Sequence, residues 1–168
     1  MSLIVIKPEE MPQNTFKVLN DWMLLTAGNM DSFNTMTVSW GGLGVLWSKP
    51  VVTAYVRPQR YTYDFMEKSE YFTLSSYPDF MHEALAVCGS KSGRDIDKVS
   101  ACGLVPQSAA DGGVYFEGAK LVLVCRKMYY QDIDPNNFLD PAIEKCYPIN
   151  DYHRMYIGQI VEVLIDKD

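Results

Sequence analysis

The sequence has no apolar stretch near the roughly 20 residues that a helix needs to cross a membrane. The run near its start, Leu3-Ile4-Val5-Ile6, is also too short for a secretory leader, so no membrane association is expected. No C-x-x-C pair occurs. Cys88, Cys102, Cys125 and Cys146 are far apart, and the two histidines, His82 and His153, fit no zinc spacing. That excludes a structural metal site and leaves reduced, mostly buried thiols in a cytoplasmic protein as the expectation. A basic run is missing too: 15 Lys and Arg face 21 Asp and Glu, for a net charge of −6. Nucleic-acid binding rests on neutralising phosphates, so no nucleic-acid partner is expected. Neither G-x-G-x-x-G nor G-x-x-x-x-G-K-[ST] is present, which removes the Rossmann and P-loop readings.

A chain of 168 residues, 48% hydrophobic and 12% aromatic, predicts one globular domain over residues 1–168. Most of its signals are those of strands. The run at 22–27 stops at Gly28-Asn29 and reads as a buried strand entering a turn. In 34–40, Met36, Val38 and Trp40 alternate with Thr35, Thr37 and Ser39, giving one apolar and one hydroxylated face, and Gly41-Gly42-Leu43-Gly44 is expected to break that strand. Further strands are predicted at 50–56, at 71–76, within 118–131 (buried on both sides) and at 155–165, the last bent at Gly158. Short helices are expected at 62–68 with Thr62 as N-cap, at 78–88 with Pro78 near the first position, and from about Asp95 to before Gly103. His82 falls within the second of these and reads as structural or exposed. Many strands with a few short helices between them predict a mainly β, antiparallel barrel, closed or split.

Two turns are suited to an anion. In Arg57-Pro58-Gln59-Arg60-Tyr61-Thr62, two guanidiniums, two hydroxyls and a helix start converge. In Gly89-Ser90-Lys91-Ser92-Gly93-Arg94-Asp95, glycines, hydroxyls and cations share one loop. Each also reads as an ordinary surface turn, but together they point to one phosphorylated ligand. The hydroxylated face of 34–40 suits the edge of a flat heteroaromatic ring, and equally an ordinary half-exposed strand. His153, in Asp151-Tyr152-His153-Arg154, titrates near neutral pH in its unperturbed state, so it is both a candidate donor and an ordinary loop residue. The scattered acidic residues support no carboxylate pair.

The ordered set Asn34-Thr35-Met36-Thr37-Val38-Ser39-Trp40-Gly41-Gly42, Trp47-Ser48-Lys49-Pro50, the 57–62 turn, the 89–98 loop and Tyr152-His153-Arg154-Met155-Tyr156-Ile157-Gly158 resembles the flavin-reductase-like family with the FMN-binding split barrel, in particular its flavoredoxin branch. The likeness runs from about residue 14 to 165. It implies a homodimer with one FMN per subunit near the interface. Thr37, Ser39 and Trp40, with Asn34 and Met36 of the same strand, would hold the ring edge and ribityl chain. Arg57, Arg60, Tyr61 and Thr62, with Ser90, Lys91 and Ser92, would surround the phosphate. His153 would lie at the reactive face, where NADH or NADPH delivers hydride for a small-molecule or protein electron acceptor. A flavoredoxin-type carrier without its own nicotinamide site and a non-catalytic flavin-binding module stay open beside the reductase.

Overall fold

The computed structural model describes residues 3–11, 21–110 and 112–166. The described residues form ten strands: β1 (Leu3–Ile6), β2 (Met23–Asn29), β3 (Ser32–Val38), β4 (Gly41–Leu46), β5 (Lys49–Val56), β6 (Tyr71–Ser76), β7 (Pro106–Ser108), β8 (Val114–Phe116), β9 (Leu121–Asp132) and β10 (Arg154–Asp166). Eight of them make one antiparallel sheet in the order β3-β2-β6-β9-β10-β5-β4, with β1 also paired to β10; β7 and β8 pair separately. Its outermost strands, β3 and β4, follow each other in sequence but are not hydrogen-bonded to one another. That is the opening of a split barrel.

Local chemistry sets the hairpins. Between β2 and β3, the Asn29 side chain accepts from the backbone N–H groups of Asp31 and Ser32, at 3.1 Å each. Gly28 just before it has φ +114°, and a Cβ there would meet the Ser32 carbonyl, so only glycine fits. The expected break after the 34–40 strand is present, since β3 ends at Val38, but the 41–44 segment is itself a strand. It starts β4, which folds back on β5 through Trp47 and Ser48, both with positive φ (51° and 57°). Two consecutive left-handed residues make the tight turn that matches strand twist, without the usual Asn-Gly.

The expected bend in the closing strand is present, as a register shift between Ile157 and Gly158 against β9. A Cβ at Gly158 would stand 2.8 Å from the Phe72 ring, so the core needs the bare backbone there. Residues 121–125 are buried on both faces, as their unbroken apolar run predicts. One face joins Met23, Leu25, Met36, Val52, Phe72 and Tyr156 inside the barrel. The other packs Leu24, Val122 and Val124 with Leu85, Cys88, Leu104 and Phe116.

Among the described residues there are three α-helices: α1 (Tyr61–Lys68), α2 (His82–Ser90) and α3 (Lys98–Cys102). Their starts correct the sequence expectations. Thr62 is inside α1 and buried, and Arg60 holds the cap position without a side-chain cap bond. Pro78 precedes a 3-10 turn, Asp79–Met81, which leads into α2. The third helix starts at Lys98, not Asp95, because the Asp97 carboxylate caps Val99 and Ser100. Gly103, at φ 61°, ends it. His82 is exposed and stacks on Trp22. No helix among the described residues is long and apolar enough to cross a membrane.

Candidate functional site

The split carries a recess of about 190 Å³. Its walls are the end of β3 with the link to β4 (residues 36–40), Tyr55 of β5, Arg57, Arg60 and His153. The β3 strand ends at Val38, so Ser39 and Trp40 do not continue the expected alternation; both are exposed where the chain turns toward β4. Trp40 stays 48% exposed, and its ring lies 5.1 Å from that of His153. Thr37 is half-buried and donates to the Leu85 carbonyl, tying this wall to α2.

His153 is buried. Its Nδ1 lies 2.9 Å from the Tyr147 hydroxyl, and Tyr55 and Tyr147 meet the ring edge-on. Burial, with the nearby Arg57 charge, lowers its pKa to about 4, and Asp151 opposes this without overcoming it. The imidazole is therefore neutral at physiological pH, which corrects the expectation of a group titrating near neutrality.

Arg57 forms an ion pair with Asp151, donates to the Cys146 carbonyl at 2.9 Å, and places its guanidinium 5.1 Å from the Tyr147 ring centre. The same carboxylate oxygen, Oδ2, also accepts from Gln59, while Oδ1 is buried with no partner among the described residues. Burial resists the charge on Asp151, but the hydrogen bonds from Arg57 and Gln59 outweigh it and keep the carboxyl below its ordinary range. Arg60 donates to the carbonyls of Gly89 (2.6 Å) and Cys88 (3.2 Å) at the C-terminal end of α2. A cation suits that negative helix end.

The remaining candidates lie elsewhere. Asn34 and Tyr61 line a second recess of about 550 Å³, with Arg94 and Lys98. Arg94 lies 4.6 Å over the Tyr61 ring and pairs with Asp64 at 2.6 Å. Thr62 is covered by Asn34, whose Nδ2 donates to its hydroxyl at 2.7 Å. Ser90 donates back to Ala86, Ser92 accepts from the Arg94 backbone N–H, and Lys91 is exposed. The structure thus gathers Met36, Thr37, Ser39, Trp40, Arg57, Arg60 and His153 in one recess. Asn34 and Tyr61 are in another, and Ser90, Lys91 and Ser92 follow the helix end that Arg60 holds.

Sequence reasoning missed four residues. Tyr55 was legible as an alternating position of its strand. Tyr147 and Asp151 sit in an irregular loop with no periodic signal. Lys98 is the largest surprise: it is buried and donates to the Thr35 and Cys88 carbonyls, both at 2.8 Å. Burial lowers its pKa to about 8.

No curated protein matches the sequence. Solved structures do. An FMN-binding domain of a flavin reductases-like enzyme from Shewanella baltica superposes with TM-score 0.72 at 18% identity, covering 98% of this chain and 78% of that one. The flavoredoxin of Desulfovibrio vulgaris (Miyazaki F) gives 0.69 at 20% identity, over 96% and 78%. An FMN-binding protein from Thermus thermophilus, with bound p-hydroxybenzaldehyde, gives 0.69 at 18%, over 96% and 78%. At these identities the likeness establishes the fold alone. The sequence itself carries the assignment further: residues 18–168 match the flavin reductase like domain, and the chain belongs to that family.

Proposed function

We propose that the chain binds FMN at the split of the barrel and passes electrons from NADH or NADPH through it to a small-molecule or protein acceptor. One observation carries this reading. The recess at the end of β3, where the chain turns toward β4, combines a strand end, aromatic walls and two guanidiniums, in a fold whose Shewanella and Thermus relatives are FMN-binding proteins.

The residues suit the cofactor. A flat ring needs apolar or aromatic faces and a few donors at its edge, and Trp40, Tyr55, Ser39 and the arginines provide both kinds of contact. The loop at Ser90, Lys91 and Ser92 offers hydroxyls and an exposed cation for a phosphate. At about 190 Å³ the recess is smaller than the roughly 300–1,000 Å³ of pockets that enclose a whole ligand, so one chain covers only part of the nucleotide. A second copy completes the site in this reading. At the end of β4 away from Trp40, Val45, Leu46 and the turn residue Trp47 are exposed, an apolar patch suited to a symmetric homodimer contact.

When bound, FMN supplies the hydride and electron chemistry that no side chain possesses. The protein orients and shields. Trp40 gives a half-exposed wall against which a nicotinamide can stack. His153, neutral and fixed by Tyr147, acts as a hydrogen-bonding and packing group and not as a proton reservoir. The four free thiols suit a reducing compartment such as the cytoplasm.

Anaerobic titration of the purified protein tests the proposal. A flavin spectrum should survive desalting and be bleached by NADH or NADPH. Protein that stays colourless after incubation with FMN refutes the flavin reading. Bound flavin bleached by a protein reductase but by neither nicotinamide would assign the chain to electron carriage, the second reading, which the flavoredoxin-like fold favours.

A further inference from the structure

We infer that Asp151, itself outside the recess lining, sets the charge of the recess by neutralising Arg57 and thereby fixes the reduction potential of the bound flavin. This rests on the FMN reading above.

Two guanidiniums wall the recess. Arg60 is compensated by the carbonyl end of α2, to which it donates twice. Arg57 donates to one carbonyl, that of Cys146 at the end of the 3-10 turn Pro141–Cys146, and its ion-pair partner among the described residues is Asp151. The Asp151 side chain is 7% exposed and that of Arg57 25%, so solvent screens the pair less than it would two fully exposed charges. Asp151 is an unusual carboxylate, because a single oxygen serves both Arg57 and Gln59 while the other is buried without a partner. An asparagine could offer the same single oxygen to both donors. Hydrogen bonding therefore does not explain the acid, and a buried polar group left unpaired calls for a reason. The negative charge, held against burial, is what distinguishes it.

That charge matters for a flavin. Hydride transfer delivers two electrons with one hydrogen nucleus, so the ring gains one negative charge. An uncompensated cation in the recess wall would favour the charged, reduced ring, whereas a neutralised pair favours it less. Charge placed beside the ring is one of the ways a protein tunes this cofactor.

The test is the midpoint potential of bound FMN, with FMN affinity and thermal stability measured alongside. D151N keeps the shape and the shared oxygen. It should bind the reduced flavin at least tenfold more tightly relative to the oxidised form, a positive shift of about 30 mV for a two-electron couple. R57Q should move the potential the other way, because the carboxylate is then uncompensated, and in the R57Q background D151N should shift it upward again. A D151N protein that holds FMN at an unchanged potential overturns the inference, as does an R57Q protein whose potential rises. If D151N fails to fold, R57Q alone decides: an unchanged potential overturns the proposal. Wild-type protein that takes up no FMN refutes the flavin reading and this inference with it. Flavin binding with an unmoved D151N potential refutes this inference alone.

Discussion

The Lys98 ammonium and the Arg60 guanidinium donate to the same oxygen, the Cys88 carbonyl, at 2.8 and 3.2 Å. One cation comes from α3 and the other from the residue before α1, and their shared target is the last turn of α2. Lys98 also reaches the Thr35 carbonyl of β3, so a single ammonium joins the strand that walls the recess to the helix that leads into the 90–92 loop.

Replacing Arg60 with methionine removes two charged hydrogen bonds from that helix end. Each is of a class worth about 1.5–3 kcal/mol, and partial rearrangement recovers some of the loss. Urea unfolding of R60M should show a lower midpoint with an unchanged slope.

Lys98 gives a pH dependence whose sign follows from its burial. Its folded-state pKa, about 8, is below the ordinary 10.5. Between those values the unfolded chain holds a proton that the folded chain has released, so on account of this group stability rises with pH and is lost again as pH falls through 8. The stability difference between wild type and K98M should therefore change in favour of the wild type from pH 7.5 to 9.5. A difference that is flat with pH would show that Lys98 titrates normally.

His153 acts at the other end of the scale. Its pKa is lowered to about 4 from 6.5, so its neutral form contributes stability above pH 6.5, and that contribution disappears as pH falls through 4. Arg57 is the second cause of the depression after burial, so R57Q should raise the His153 titration midpoint in an NMR experiment. In the flavin-loaded protein, H153A should slow reduction by pyridine nucleotide while the flavin stays bound. Undiminished reduction would leave His153 a purely packing role.

Gly93 lies against Asn34, where an added Cβ would overlap Oδ1 and stand 3.1 Å from the Tyr61 ring. G93A should displace Asn34 from Thr62 and cost about 1–3 kcal/mol, the range for overpacking a filled site. Differential scanning calorimetry reads the loss directly. N34A combined with G93A should show a much smaller added penalty, because the clash partner is gone.

The fold was largely legible because strands announce themselves through alternation and unbroken apolar runs. The segments at 71–76 and 121–125 and the bend at Gly158 needed nothing beyond periodicity and one glycine. What escaped were features decided across the structure. Gly41-Gly42-Leu43-Gly44 has the composition of a breaker, yet pairing with β5 holds it as a strand. Thr62 has the chemistry of a cap, but the Asn34 side chain, 28 residues away, claims its hydroxyl inside the core. In the candidate site, the strand end, the arginines and His153 were readable as a set of polar residues in strand and turn positions. Their division between two recesses was not, because it depends on where α2 crosses β3. Nor did any local signal mark Asp151 and Lys98, since burial of a charge is invisible until its partners are known.

The opening between β3 and β4 has a chemical consequence. All the ladder hydrogen bonds of these two strands run to β2 and β5, and none bridges the gap between them. The facing backbone groups of the two edges are therefore not spent on each other. A ring or a partner surface that seats there meets main-chain donors and acceptors without competing with any rung of the sheet.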